Sequence, residues 1–341
     1  MRLVDLRKAA VIDDSVKLMK GCNFSPAANC ETPRIQMNSP DKVTDQMSLP
    51  VISIVTPSYN QGRFVEETIT SILDQQYPRL QYMVIDGGST DNSVEIIKKY
   101  AHRLDYWESK KDRGQSHAIN KGIARCTGDI FSWLNSDDVM MPGALHAVAE
   151  VWMRHPGTII AGHTEAFDHT GTLRMRKARG LSLKNLVRFW EAQDYHWSQC
   201  STFVPLKALL EIGAIRENLH YCMDHIMLTE LMARGVEASY VDQIVSRFRI
   251  HADSKTVHLK AEEIMELVPA LRSLKNLPIV VQDWEWDAEV ARRIVELGRR
   301  DLRVGRYAAA LKHLGRAFAT SPRGTVGNVS SRFMNRARAR K

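Results

Sequence analysis

The sequence predicts an α/β fold built on a mainly parallel, mixed sheet flanked by helices. Three observations lead there. Between residues 51 and 134, short apolar runs alternate with segments of helical period. The runs ending at Val55, Ile85 and Leu134 each open into a polar loop. The composition, 44% hydrophobic and 25% charged over 341 residues, is that of a soluble globular protein with one large core or two modest ones.

Val51-Ile52-Ser53-Ile54-Val55 reads as the first strand, mostly apolar and β-branched. Thr56-Pro57-Ser58-Tyr59-Asn60-Gln61-Gly62 carries the breakers of a loop, and Val65, Ile69, Ile72 and Leu73 then fall at helical spacing. Residues 80–85 form a second strand, closed by Asp86-Gly87-Gly88. Asp91 begins a helix with Val94, Ile97 and Tyr100 on one face. A short strand over 104–107, a helix over 116–124 and a strand over 130–134 follow. In a doubly wound sheet the loops after these strands share one edge, so polar clusters far apart in sequence converge there. Pro142 opens a helix running to about residue 154. Strands are expected at 158–161 and 173–179, and a helix at 181–190. Met223, Ile226, Met227 and Leu231 form an apolar helical stripe.

Three regions follow. Residues 1–48 are breaker-rich without a sustained period and read as a flexible extension. Residues 49–258 form the main domain. Residues 259–341 are a helical C-terminal region ending in a basic tail, Arg332, Arg336, Arg338, Arg340 and Lys341. Within it Leu297, Gly298, Gly305, Tyr307, Ala310, Leu314, Ala317 and Pro322 fit one tetratricopeptide-like helix pair. Such repeats need neighbours to bury their faces, so a helical hairpin packed on the main domain is preferred.

The net charge of +8 suits an anionic ligand or an anionic membrane surface. No nucleic-acid recognition motif accompanies it, which sets nucleic-acid binding aside. No apolar run approaches the ~18 residues of a membrane span. Met1-Arg2-Leu3-Val4-Asp5-Leu6-Arg7-Lys8 lacks the apolar core of an export signal. Five cysteines without a CxxC pair fit reduced thiols, so a cytoplasmic setting is expected.

Asn135-Ser136-Asp137-Asp138 is the most informative motif. Two carboxylates just past a buried strand are costly unless water or a cation satisfies them, and a hard divalent cation, Mn²⁺ or Mg²⁺, is the natural partner. The competing reading is an Asx turn feeding the next helix. At the first strand end, Tyr59 offers an aromatic face for a nucleobase and Thr56 a hydroxyl; a plain surface turn is the alternative. Asp86-Gly87-Gly88-Ser89-Thr90-Asp91 allows close backbone approach, but it is neither GxGxxG nor a P-loop. Asp224 stands in the first turn of its helix, where it also complements the helix dipole.

Taken in order, these segments resemble the family 2 glycosyltransferases, enzymes of the GT-A (Rossmann-like) fold. The resemblance rests on residues 51–60, Ser71-Ile72-Leu73-Asp74-Gln75-Gln76, Val84-Ile85-Asp86-Gly87-Gly88-Ser89-Thr90-Asp91, Asn120-Lys121-Gly122 and the run from Thr127 to Asp138. It spans residues 50 to about 255. It implies a sugar nucleotide bound across the strand ends with its diphosphate held by Mn²⁺ or Mg²⁺. Thr56, Pro57 and Tyr59 then belong to the donor-facing first loop, with Asp86 at the second strand end. Asp112, Gln115 and Lys121 line the donor pocket or a solvated helix face. Asp138 aligns with the metal-binding Asp of the DxD-type motif and Asp137 lies near the ribose or sugar. The first Asp of that motif is Asn135 here, and an Asp often found after the second strand is Gly87. UDP, GDP and dTDP sugars therefore all stay open. The segment Tyr221-Cys222-Met223-Asp224-His225 is similar to the acceptor-side motif whose Asp is the general base, which gives that role to Asp224. In Phe248-Arg249-Ile250-His251, His251 completes the metal shell or is a hydrogen-bonded loop histidine. Trp197 and Gln199 line the acceptor groove or belong to the core.

The reading that follows is an inverting, metal-dependent glycosyltransferase. It would act on a saccharide or lipid-linked acceptor in surface polysaccharide or glycolipid assembly, in the cytoplasm or peripherally at the inner face of the membrane. A non-catalytic nucleotide-sugar-binding or scaffold protein is the alternative.

Overall fold

The computed structural model describes residues 49–254 and, with gaps at 255–259, 276, 304 and 323–324, residues 260–325. The expectations for residues 1–48 and for the basic tail lie outside the described residues.

The first half alternates as its periodicity requires. β1 (Ile52–Ser58), α1 (Val65–Leu73), β2 (Leu80–Asp86), α2 (Ser93–Tyr100), β3 (Tyr106–Ser109), α3 (Gln115–Ile123) and β4 (Ile130–Trp133) follow one another. These strands pair in parallel in the order β3-β2-β1-β4. The chain runs outward from β1 to β3, then crosses to the other side of β1. That reversal leaves a crevice at the carboxyl ends of β1 and β4, the place where open α/β sheets bind ligands. The register sets Ser58 beside Asp86 and Asp86 beside Ser109, so the polar strand ends share one edge.

The second half widens the sheet. β5 (Val139–Met140), α4 (Ala144–Arg154), β6 (Ile159–Asp168), β7 (Gly171–Arg176), α5 (Leu183–Val187), β8 (Thr202–Pro205), α6 (Leu206–Glu211), α7 (Met223–Ala233) and β9 (Ala238–Arg249) follow. β8 is antiparallel to β4 and to β6, β9 runs parallel to β6, β5 pairs with β9, and β7 hangs on β6 as an exposed edge. The sheet is therefore mixed, with its parallel portion at the first strands.

Several boundaries differ from expectation. The third strand starts at Tyr106 rather than 104, because Leu104 closes a 3₁₀ turn. The strand expected over 158–161 continues to Asp168, and the one expected over 173–179 spans Gly171–Arg176. The helix expected over 181–190 is only α5, capped by the Ser182 hydroxyl and ended where Arg188 leaves helical backbone. β9 escaped notice because register shifts against β6 break its alternation.

Alternating residues of β1 feed two cores. Ile54 packs with Ile69 and Ile97 on one face, Val55 with Ile119 and Phe131 on the other. The C-terminal helices are α8 (Lys260–Ser273), α9 (Asp283–Arg303) and α10 (Tyr307–Thr320). Leu267, Val268 and Leu271 of α8 and Trp286 of α9 share a core with Ile226 and Leu231 of α7. α9 and α10 form a hairpin that closes tightly at Gly298, where a Cβ would lie 3.2 Å from the Ala310 carbonyl oxygen. Among the described residues, no helix is long and apolar enough to cross a membrane.

Candidate active site

The loops expected to face a donor are tied to one another. Asp86, wholly buried, accepts from the Gly88 amide (3.0 Å), the Ser89 amide (2.9 Å) and the Ser89 and Ser109 hydroxyls (2.5 and 2.7 Å). A carboxylate so saturated shapes the turn. Asn60, in left-handed backbone at φ 53°, donates its amide to Ser89 and accepts from the Thr90 amide, so the first loop is pinned to the second. Tyr59 is left 61% exposed, an aromatic face open to solvent at the strand ends. Thr56 and Pro57 are buried, and the Thr56 hydroxyl lies 3.0 Å from that of Tyr82. The Thr56 side chain therefore faces the core, leaving backbone to meet a ligand. Ser58, which sequence reasoning passed over, has a buried hydroxyl with no hydrogen-bond partner.

Asp112 accepts from the Gly114 amide at 2.8 Å, and its carboxylate lies against Gly87, where a Cβ would approach Oδ2 to 2.7 Å. Gln115 donates to Asn135 at 2.7 Å. Lys121 pairs its ammonium with Glu108 at 2.7 Å, the contact that does most to hold that carboxyl below its usual range.

The acidic turn divides the labour of its two carboxylates. Asp138 is fully buried, and its Oδ1 accepts from the Arg249 amide at 3.0 Å. Burial, and then the adjacent Asp137 charge, push its pKa well up. Asp137 keeps a side-chain exposure of 20%, and its Oδ2 lies 3.0 Å from His251 Nε2. The sequence expectation joined Asp138 with His251; the structure pairs His251 with Asp137, because Asp138 points inward under β9.

Arg249 makes this arrangement rigid. Its Nε donates to the Asp137 carbonyl at 2.8 Å, and Nη2 pairs with Glu67. Its guanidinium sits 4.8 and 4.4 Å from the Phe64 and Phe167 ring centres. Phe64 also stacks on His251 at 4.8 Å. Sequence reasoning missed Arg249; its one signal was a place two residues before His251.

Among the residues expected to face an acceptor, Gln199 donates to the Trp133 carbonyl at 2.7 Å and accepts from Asn135 at 3.4 Å. Asn135 thus joins Gln115 to Gln199, with both ends of its amide in use. Trp197 donates its indole N–H to the Tyr195 hydroxyl at 2.5 Å and packs 6.0 Å from the His225 ring. Asp224 opens α7, half-buried, with Oδ1 accepting from the His225 amide at 2.7 Å. Burial raises the Tyr195 pKa, and the nearby Asp224 charge adds to it. His225 is buried, donates Nε2–H to the Leu186 carbonyl at 2.8 Å, and is pushed down to about 4 by desolvation. It is a neutral structural histidine. The loop ahead of Asp224 is held from outside: Glu266 of α8 accepts from the amides of His220, Tyr221 and Cys222 at 2.7, 2.7 and 3.0 Å.

Asp137 and His251 offer one carboxylate and one imidazole 3.0 Å apart, and no group of three or more such ligands exists among the described residues. That set fits a cation such as Mn²⁺ or Mg²⁺ that takes its remaining ligands from substrate phosphates and water.

The comparisons with known proteins bear on the family and the fold. The Glycosyl transferase family 2 profile matches residues 53–219. An uncharacterized glycosyltransferase of Rickettsia felis is 29% identical over 229 residues, covering 63% of this chain and 37% of that protein. The putative teichuronic acid biosynthesis glycosyltransferase TuaG of Bacillus subtilis is 25% identical over 209 residues, covering 59% of this chain and 79% of TuaG. The chain spans 37%, 36% and 32% of the length of three rickettsial relatives. S. aureus TarS 1–349, solved with UDP-GlcNAc, superposes with a TM-score of 0.56 at 15% identity, over 82% of this chain and 83% of that one. The mannosyltransferase PcManGT of Pyrobaculum calidifontis, solved with GDP-Man and Mn²⁺, gives 0.52 at 18%, over 84% and 80%. Such distant structural likeness establishes the fold, GT-A. Joined to the family profile and to relatives named as glycosyltransferases, it leads to one assignment: residues 53–219 carry a glycosyl transferase family 2 domain.

Proposed function

We propose that this protein is an inverting, metal-dependent glycosyltransferase that moves a sugar from a nucleoside diphosphate to a hydroxyl of a saccharide or lipid-linked acceptor. The observation that carries the reading is the Asp137–His251 pair beside the crevice between β1 and β4. The relatives' ligands support a nucleotide-sugar donor: UDP-GlcNAc in TarS, GDP-Man in PcManGT. UDP, GDP and dTDP sugars are the candidates. The name of TuaG supports a place in surface polysaccharide or glycolipid assembly, at the cytoplasmic face of a membrane.

In the proposed step the acceptor oxygen attacks C1 of the donor sugar from the face opposite the diphosphate. Asp224 takes the hydroxyl proton, the new C1–O bond forms, and the bond from C1 to the phosphate oxygen breaks. The nucleoside diphosphate leaves and the anomeric configuration inverts. Asp224 suits the role because it is half-buried beside Tyr195 and Trp197, aromatic faces of the kind that pack on sugar C–H surfaces. Asp137 and His251 would hold a divalent cation, which when bound neutralises charge developing on the departing diphosphate. Tyr59 offers its exposed ring to the base. Arg249 keeps Asp137 aimed by gripping its carbonyl.

Asp224→Asn tests this. The shape stays and the base goes, so donor affinity should change little. Transfer should fall by roughly 10²–10⁴-fold. A variant that transfers at the wild-type rate removes Asp224 from the role. A wild-type protein that binds donor but transfers to no acceptor in a broad panel, with the variant indistinguishable from it, favours a non-catalytic binding protein.

A further inference from the structure

β7 is an edge strand whose residues are all exposed, and its sequence, Gly171-Thr172-Leu173-Arg174-Met175-Arg176, runs into Lys177 and Arg179. Arg174 and Arg176 alternate with Leu173 and Met175, so both cations project from one face of the strand. Most cations around the site have carboxylate partners. Arg247 pairs with Glu165 at 2.7 Å, Arg249 with Glu67, and Arg179 with Asp194. Among the described residues, Arg174, Arg176 and Lys177 have none. Arg176 instead places Nη1 3.3 Å from His196 Nδ1. An arginine has only donors, so Nδ1 accepts and the ring proton sits on Nε2. That Nε2 is buried and has no hydrogen-bond partner. Desolvation and then Arg176, Arg174 and Arg179 drive His196 down to about 4, and desolvation and Arg174 lower Arg176 as well. The patch is electrostatically uncompensated: like charges gather around a donor with nothing to donate to.

Its position ties it to the acceptor side. Arg179 and His196 exchange both backbone hydrogen bonds at 2.9 Å, which fastens the end of the β7 segment to the stretch carrying Tyr195 and Trp197. Tyr195 in turn feels the charge of Asp224.

We infer that Arg174 and Arg176, the latter braced by His196, form a subsite for an anionic group of the acceptor, a phosphate ester or phosphodiester carried by the saccharide or lipid-linked chain. The inference rests on the proposed transferase reading and specifies its substrate class. The guanidinium groups supply paired donors to the anion, His196 Nδ1 braces Arg176 from behind, and Lys177 adds field at the rim. Leu173 and Met175, 50% and 48% exposed, lie on the opposite face of the strand, outside the subsite.

The test uses the full chain and the double variant Arg174→Ser/Arg176→Ser. The first arm is calorimetric binding of sodium tripolyphosphate in EDTA, which suppresses the metal-dependent donor site. Wild-type protein should bind in a salt-sensitive manner, and the variant about tenfold or more weakly. Donor hydrolysis should be unchanged in the variant, showing that the fold and the donor reading stand apart from this site. The second arm compares paired acceptors with and without a phosphate ester. Wild type should favour the phosphorylated one through KM, and the variant should lose that preference with kcat kept. The third arm is co-sedimentation with phosphatidylcholine vesicles containing phosphatidylglycerol. Equal tripolyphosphate affinity in both proteins overturns the subsite. So does vesicle binding that depends on Arg174 and Arg176 while tripolyphosphate does not bind, which would make the patch a membrane contact. If no acceptor is turned over, the binding arm decides alone.

Discussion

Asp137 and Asp138 are adjacent in sequence and opposite in environment. One keeps water and a histidine; the other is sealed beneath a strand with its carboxyl oxygen on a backbone amide. On the proposed reading, a cation that must also meet a diphosphate is held by the more exposed first carboxylate. Asp137→Asn should therefore lower metal-stimulated donor hydrolysis on the order of a hundredfold. Asp138→Asn keeps an oxygen for the Arg249 amide and avoids burying a carboxyl group that desolvation already disfavours as an anion. Its metal dependence should stay near wild type. A titration with Mn²⁺ checks both, and the opposite ranking would restore Asp138 as the ligand. Residue spacing alone could not separate the two, because which carboxylate of a doublet faces inward depends on Arg249, over a hundred positions away in the chain.

Helix-to-strand contact decides how well β1 presents its loop. Gly122 of α3 lies so close to β1 that a Cβ there would come within 2.4 Å of Val55 Cγ2. Gly122→Ala should cost roughly 1–3 kcal/mol from overpacking, offset by up to about 1 kcal/mol of helix propensity. Urea denaturation should move to a lower midpoint; a higher one would mean that the interface relaxes freely. The same elements mark what could be read in advance. Strands and helices up to Trp133 were legible because the strands are short runs buried on both faces and the helices bury one clean face, and the order of their loops carried the resemblance. β5 has two residues, too few to show a period. β9 alternates irregularly and is half-exposed, so its pattern resembles a loop until β6 lies beside it. The Gln115–Asn135–Gln199 chain of amides joins segments whose meeting no local signal announces.

The whole chain should respond to its donor as a thermodynamic unit. A nucleoside diphosphate with Mn²⁺ at about 100 times its Kd should add roughly 2.7 kcal/mol of stability. For a protein of this size that is a rise in melting temperature of about 4 °C. EDTA should erase most of it if cation and diphosphate are held together. No shift with any of UDP, GDP or dTDP would remove the nucleotide reading. Glu266 bears on a different question, that of where the molecule may be divided. A break at residue 258, the boundary suggested by composition, would strip three amides of their acceptor just ahead of Asp224 and bare Leu267, Val268 and Leu271. The smallest transplantable catalytic module therefore includes α8. Exchange of the C-terminal helices between relatives, by recombination or by an engineer, would reset the aim of the acceptor-side carboxylate along with whatever else those helices do.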